Sequence, residues 1–240
     1  MSAPSGYATA MRRGAIAGLV FVVLVGAAIG ITMLSGYRLP TQGRAASNRV
    51  LVIGALPDEN GDLVAQVIAD VDVSGTPVVR SVDPSSPVTV VGTGYGRLRD
   101  TYAFGGGGAV ASGYARLTGS KPLPFIDLGP QALTTAIRAT GGVELDLPAA
   151  MNVFDGERLF TFPQGALTAH AEEFRAILNG AAYLPAAQRS AVLEQAARQL
   201  TALTAAYPGG LAGALKAGTV ESDLGEDGVR NFVTRLTQAR

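Results

Sequence analysis

The sequence predicts an α/β fold, and the clearest sign is the stretch of residues 124–148. Phe125–Leu128 is an apolar run typical of a strand, and after a Gly-Pro turn the apolar side chains recur at helical spacing. Val143–Leu147 then alternates apolar and acidic residues, which is the period of a half-buried strand. Two strands joined through a helix favour a βαβ-type unit. A second sign is the continuous apolar run at 50–54, which predicts a strand covered on both faces.

The remaining elements follow from turn residues and periodicity. Strands are expected at 65–72, 78–82 and 88–91, the first two as a hairpin, while residues 149–164 are expected to be irregular. Helices are expected at 108–117, 167–178, 186–207, 211–215 and 229–236; the first has Val110, Tyr114 and Leu117 on one stripe.

Composition excludes several classes of function. The chain has 240 residues with 19 basic and 19 acidic side chains, so it lacks the net positive charge of a nucleic-acid-binding protein. It has no cysteine, which excludes thiol catalysis, disulfides and cysteine-ligated metals. The single histidine, His170, excludes a histidine-rich metal site, and we expect it at a surface or helix-capping position.

The N-terminal region predicts a membrane anchor. Residues 14–34 form an uncharged apolar run whose helix would span the hydrocarbon core of a bilayer, about 30 Å. A cleaved signal peptide is the alternative, but the run is longer than a signal core and no convincing cleavage site follows it. Arg12 and Arg13 directly precede the run, which favours a cytoplasmic N-terminus. The predicted organisation is a cytoplasmic N-terminus (1–13), a transmembrane anchor (14–34), a linker (35–49) and an extracytoplasmic domain (50–240).

Two motifs in this domain resemble the LytR-CpsA-Psr (LCP) family, membrane-anchored bacterial proteins that attach glycopolymers to the cell wall. One is the helix end Gly-Gly-Val-Glu-Leu-Asp-Leu-Pro at 141–148. The other is Gly-Tyr-Gly-Arg at 94–97, which leads to Tyr-Ala-Phe-Gly-Gly at 102–106. The resemblance extends over roughly residues 50–207. It implies an α/β/α sandwich with a mixed central sheet, preceded by one N-terminal transmembrane helix.

The resemblance also implies a reaction, in which arginines hold the pyrophosphate of a polyprenyl-linked glycopolymer and acidic residues hold magnesium. This chain departs from that pattern: Ala55 stands where the family has an acidic residue, and Ser85 stands where it has an arginine. Five residues remain as weak candidates for a catalytic site, namely Asp58, Asp62, Arg97, Arg175 and Arg189. Because phosphoryl transfer depends on several fixed cations, we expect a catalytically degenerate protein.

Three functions therefore stay open. The first is a membrane-anchored protein of cell-wall biogenesis that binds polyprenyl-linked glycopolymer precursors or assists an active homologue, without a cofactor. The second is an active, magnesium-dependent phosphotransferase that attaches glycopolymers to peptidoglycan, and the third is a structural or regulatory envelope subunit without a ligand. In the resembling family an apolar groove holds the polyprenyl chain. The apolar side chains that either line such a groove or cap the core are Phe154, Leu159, Phe160 and Phe162.

Overall fold

The computed structural model describes residues 47–89 and 96–238. The strands are Arg49–Pro57 (β1), Leu63–Asp72 (β2), Val78–Val82 (β3), Phe125–Leu128 (β4), Val143–Leu147 (β5), Met151–Phe154 (β6), Leu159–Phe162 (β7), Gly165–Ala169 (β8) and Glu221–Ser222 (β9). The helices are Gly106–Thr118 (α1), Pro130–Ala139 (α2), Ala171–Ala181 (α3), Ala186–Ala205 (α4), Leu211–Lys216 (α5) and Gly225–Gln238 (α6), and a 3-10 helix covers Leu98–Phe104.

The central sheet has five strands in the order β3-β2-β1-β4-β9. β1 runs parallel to β4, whereas the other neighbouring strands are antiparallel, so the sheet is mixed. The predicted α/β fold with a mixed central sheet is therefore confirmed.

Helices cover both faces of this sheet. Leu51 and Ile53 of β1 pack on one face with Val110 of α1 and with the 3-10 helix. Val50 and Val52 belong to the larger core on the other face, to which α2, α3, α4 and α6 contribute. The continuous apolar sequence of β1 follows from this two-sided burial.

Glycine lets α1 approach the sheet closely. A Cβ at Gly107 would lie 2.5 Å from the Phe125 ring, whereas one at Gly108 would meet the same ring at an ordinary 3.7 Å. The Gly107 N–H donates to the buried carboxylate of Asp127 over 3.1 Å, which places a negative charge at the helix N-terminus. The glycines at 106–108 thus let the start of α1 lie against β4.

Asp70, a buried carboxylate on β2, links α1 to the first residue of β1. Asp70 has no solvent exposure, and its oxygens accept hydrogen bonds from Arg49 Nε at 2.8 Å and from the Tyr114 hydroxyl at 2.7 Å. Burial, followed by the bond to Asp70, raises the pKa of Tyr114 to about 12. Asp70 is therefore a structural carboxylate whose charge is stabilised by two hydrogen-bond donors.

The structure corrects several predicted elements. β5 does not join β4 in one sheet but pairs antiparallel with β8, so the expected βαβ unit is not formed. Residues 151–162 form the β6–β7 hairpin instead of an irregular segment, and α3 begins at Ala171, after β8, instead of at 167. At 88–89 no strand is present, and only an isolated bridge joins Pro87 to Arg97.

The structure also tests the predicted positions of two single residues, His170 and Leu117. His170 lies at the N-cap of α3, where its backbone N–H donates to the Glu173 carboxylate over 2.8 Å, as a capping position predicts. Leu117, expected on the buried stripe of α1, is exposed instead.

No helix within residues 47–89 and 96–238 is long and apolar enough to cross a membrane, and the predicted anchor at 14–34 lies outside the described residues.

Two neighbouring glycines test the packing of α1. Gly107→Ala should destabilise the protein by about 1–3 kcal/mol, because its Cβ would overlap the Phe125 ring. Gly108→Ala is the matched control and should be neutral or stabilising by up to about 1 kcal/mol, since alanine favours helix. Urea denaturation measures both, and equal effects of the two substitutions would contradict this packing.

The Asp70–Tyr114 contact predicts a loss of stability in alkali. The folded-state pKa of Tyr114, about 12, lies above the ordinary value of 10.0, so its contribution is complete below pH 10 and is lost as the pH rises towards 12. Thermal unfolding between pH 9 and 12 should show this decline in the unaltered chain. The Tyr114→Phe variant lacks the group and should decline less over that range; parallel profiles would refute the assignment.

Candidate functional site

A charged cleft lies beyond the carboxyl end of β1, between the 3-10 helix and the start of α4. It consists of two cavities of about 420 Å³ and 140 Å³, both of which Arg97 lines. We use the name charged cleft for the aspartates and arginines that line these cavities: Asp58, Asp62, Asp83, Arg97, Arg99, Asp100 and Arg189.

Asp58 organises the turn that leads from β1 to β2. Its carboxylate is buried and accepts hydrogen bonds from the backbone N–H groups of Asn60 at 2.9 Å and Asp62 at 3.1 Å. The backbone N–H of Asp58 in turn donates to the Asp62 carbonyl over 2.9 Å. Asp58 is therefore a turn-forming residue whose carboxylate also faces the cleft.

The 3-10 helix supplies two cations and one anion. Buried Leu98 fixes the helix on the sheet, so Arg97, Arg99 and Asp100 lie at the cleft. Arg97 Nε donates to Asp100 Oδ2 over 2.9 Å, and Arg99 Nε lies 3.3 Å from Asp100 Oδ1. The buried Asp100 carboxylate thus bridges both arginines.

Arg99 is a largely buried cation of the cleft, with 11 % of its side chain exposed. Its Nη2 lies 3.5 Å from Asp58 Oδ2, and its buried Nε makes no hydrogen bond with any described residue. Its two ion pairs are therefore longer than charge-assisted hydrogen bonds normally are, about 2.7–2.9 Å. Arg99 retains unused capacity to donate to an anion.

The opposite wall of the smaller cavity comes from α4 and the loop after β3. Arg189 lies in the first turn of α4 and makes no ion pair within the described part of the chain. Ser85 lies across from it, where its backbone N–H and hydroxyl both donate to Asp83. The wall therefore supplies one arginine, a neutral serine and the carboxylate of Asp83.

A buried amide pair lies beneath this wall. The register of β1 and β2 shifts at Gly54/Ala55, which leaves Gln66 as the extra residue of a bulge. Gln66 Nε2 donates to Asn179 Oδ1 of α3 over 2.6 Å, and both side chains are buried. The bulge thus turns a polar side chain of the central sheet towards α3.

The cleft carries slightly more negative than positive charge. Three arginines line it together with four aspartates, and among the described residues only Arg97 and Arg99 form ion pairs there, with Asp58 and Asp100. An anionic ligand could bind Arg189, which makes no ion pair with any described residue, but it would have to compete with Asp100 for Arg97 and Arg99. Within residues 47–89 and 96–238 no three acidic or histidine side chains are grouped to hold a metal ion.

The structure does not bring Arg175 to the cleft. Its guanidinium lies 3.1 Å from Asp155 Oδ2 in the β6–β7 turn. Backbone N–H groups of Arg158 and Glu157 lower the pKa of Asp155. Arg175 therefore holds a turn in place. By contrast, Asp58, Asp62 and Arg97 line one cavity of the cleft, and Arg97 and Arg189 line the other.

The four candidate lipid-binding residues lie on two faces of the β6–β7 hairpin. Phe162 is buried in the core, and Phe160 packs beside it with parallel rings 5.9 Å apart. Phe154 and Leu159 are cross-strand partners on the outer face, with exposures of 64 % and 63 %. These four side chains therefore do not line one groove.

Sequence reasoning missed Arg99 and Asp100. The only signal was the Arg-x-x-Asp spacing of Arg97 and Asp100, which places the two side chains within reach in one helical turn. The link from Arg99 to Asp58 joins residues 41 positions apart and depends on the folded chain.

Comparison with known proteins identifies the fold. No protein-family model matches the sequence, and no curated protein matches it. Among solved structures, a LytR-Csp2A-Psr enzyme from Actinomyces oris superposes with a TM-score of 0.58 at 17 % identity, covering 83 % of this chain and 79 % of that one. TagV of B. subtilis gives 0.51 at 14 % identity, covering 79 % of each chain. TagT bound to LIIa-WTA gives 0.51 at 14 % identity, covering 84 % of this chain and 77 % of that one.

These likenesses show that the chain has the LCP fold. The resemblance that the motifs at 94–106 and 141–148 predict is thereby confirmed for the fold.

Proposed function

We propose that this chain is a membrane-anchored LCP-like protein of cell-wall biogenesis that binds polyprenyl-linked glycopolymer precursors and transfers them weakly or not at all. The charged cleft would hold the diphosphate of such a precursor. The observation that carries the proposal is Arg99, a largely buried arginine at a cavity, whose Nε has no hydrogen-bond partner in the described part of the chain. The similar structure of TagT with LIIa-WTA supports a ligand of this kind.

The chemistry of the cleft suits a diphosphate better than a single carboxylate. Arginine presents a planar set of N–H donors that matches two oxygens of one phosphate group at once. Arg97, Arg99 and Arg189 line adjoining cavities, so two linked phosphates would contact more than one guanidinium. A diphosphate also carries more negative charge than Asp100, and it can therefore compete with that carboxylate for the arginines.

The same ion pairs argue for weak transfer. A transferase needs preorganised positive charge that is free to meet the charge developing on the transferred phosphate. Here Arg97 and Arg99 already face Asp58 and Asp100, and Ser85 adds no charge. Part of the free energy of ligand binding would be used to displace Asp100 from the arginines, so less would be available to stabilise the transition state.

The proposal includes an N-terminal membrane anchor at 14–34, with a cytoplasmic N-terminus and an extracytoplasmic domain. The anchor and the linker of residues 35–49 would tether the domain to the membrane that holds a polyprenyl carrier. A weakly active chain at this place would pass its ligand to an active homologue. If the proposal is wrong, the following experiments would reveal either an active transferase or a subunit without a ligand.

Two arginines and a control test the binding site. We expect the full chain in detergent micelles to bind undecaprenyl diphosphate, and Arg99→Ala and Arg189→Ala each to weaken binding about tenfold or more, because each removes a charge-assisted donor. Arg198→Ala removes an exposed arginine from the same helix as Arg189 and should change affinity little. Isothermal titration calorimetry measures all four proteins.

Two results would contradict the proposal. Unchanged affinity in both Arg99→Ala and Arg189→Ala would exclude the cleft, and no binding by the unaltered chain would favour the ligand-free subunit.

One substitution tests the claim of weak transfer. Ser85→Arg restores the cation that the resemblance places there, yet we expect no substantial magnesium-dependent turnover, because Arg97 and Arg99 keep their carboxylate partners. Phosphate release from undecaprenyl diphosphate, with and without magnesium, is measured for the unaltered chain and for the variant. Rapid turnover by the unaltered chain or by Ser85→Arg would instead establish an active transferase; a single restored donor can be worth a factor of about 10²–10³.

A further inference from the structure

Another cavity, separate from the two of the charged cleft, lies beside them. Its volume of about 410 Å³ is typical of ligand pockets, which measure roughly 300–1,000 Å³. Its walls come from the β1–β2 turn, the β6 strand and the C-terminal end of α3. We name it the aromatic pocket, after the side chains that give it its chemistry: Glu59, Asn152, Phe154, Asn179 and Tyr183.

Two aromatic rings of the pocket are exposed to solvent. Phe154 is 64 % exposed and Tyr183 is 74 % exposed, so both present apolar surface that the fold does not bury. Tyr183 is also held in place, because its hydroxyl donates a hydrogen bond to the Glu59 carboxylate. Exposed aromatic rings with a fixed polar end are typical of binding surfaces.

The polar lining is rich in hydrogen-bonding groups and has no cation. Asn152 and Asn179 supply amides and Glu59 supplies a carboxylate, while neither lysine nor arginine is among the described residues that line the pocket. Such a pocket does not favour a phosphate, which needs positive charge. It suits a neutral molecule with an apolar face and a hydroxyl-rich edge, which describes a pyranose ring.

The pocket and the charged cleft are structurally linked. Glu59 directly follows Asp58 in the β1–β2 turn. Asn179 accepts the 2.6 Å hydrogen bond from Gln66, which lines the smaller cavity of the cleft. A sugar in the pocket would therefore lie close to a diphosphate in the cleft.

We infer that the aromatic pocket binds an uncharged sugar unit, with its C–H face against Phe154 or Tyr183 and its hydroxyls on the amides and Glu59. The pocket itself does not depend on the diphosphate site, whereas the source of the sugar rests on the proposed function. The sugar belongs either to the lipid-linked polymer or to the glycan of the wall, and both sources share this chemistry.

Oligosaccharide binding to the full chain in detergent micelles tests the inference. Tetra-N-acetylchitotetraose represents the acetamido sugars of a wall glycan, and maltotetraose represents plain hexoses. We expect saturable binding of at least one of them in ligand-observed NMR titrations. A preference for the first shows that the pocket recognises the acetamido group of a wall-type glycan, and a preference for the second shows that it recognises plain hexose hydroxyls.

Substitutions locate the sugar. Phe154→Ala and Tyr183→Ala should each weaken binding at least tenfold without changing Tm, since both side chains are exposed. Tyr183→Phe keeps the ring and should lose much less than Tyr183→Ala. Phe104→Ala removes an exposed phenylalanine that does not line the pocket, and binding should be unchanged.

The outcomes separate this inference from the diphosphate proposal. The Arg99→Ala variant should bind undecaprenyl diphosphate more weakly and the oligosaccharide with unchanged affinity. The Phe154→Ala variant should bind the oligosaccharide more weakly and undecaprenyl diphosphate with unchanged affinity. Absence of saturable oligosaccharide binding, or equal binding by the unaltered chain, Phe154→Ala and Tyr183→Ala, would overturn the sugar site without affecting the diphosphate site.

Discussion

β1 is the element on which the fold and the candidate site both depend. Its side chains are buried on the two faces of the sheet, and it pairs with β2 on one side and β4 on the other. Removing apolar surface from water on both faces is the largest stabilising contribution that a single strand can make. Because β1 is fixed in this way, the turn that follows it places Asp58 and Glu59 at defined positions, one in the charged cleft and the other in the aromatic pocket.

The site is governed by a balance of charge. A carboxylate that bridges two arginines stabilises them in the folded chain and also occupies the donors that an anionic ligand would use. Asp100 has this double role between Arg97 and Arg99. The proposed consequence is a protein that keeps the recognition surface of its fold, while carboxylates already pair with two of the three arginines that phosphoryl transfer would need free.

Sequence patterns predicted the parts of the fold that local periodicity determines. The run at 50–54 and the segment 125–139 were correct because two-sided burial and a one-faced helix leave distinct signals. The alternation of Val143–Leu147 predicted a strand but not its partner, since period two is the same whichever strand lies beside it. The short strands of the β6–β7 hairpin were missed, and Arg99 was missed because its contact with Asp58 exists only in the folded chain.

A crystal structure of the chain with bound farnesyl diphosphate would test the central claim most directly. The account predicts both phosphates in the charged cleft, with oxygens within hydrogen-bond distance of Arg99 and with Asp100 no longer bridging Arg97 and Arg99. A diphosphate bound elsewhere on the domain, with the Asp100 bridge intact, would contradict it.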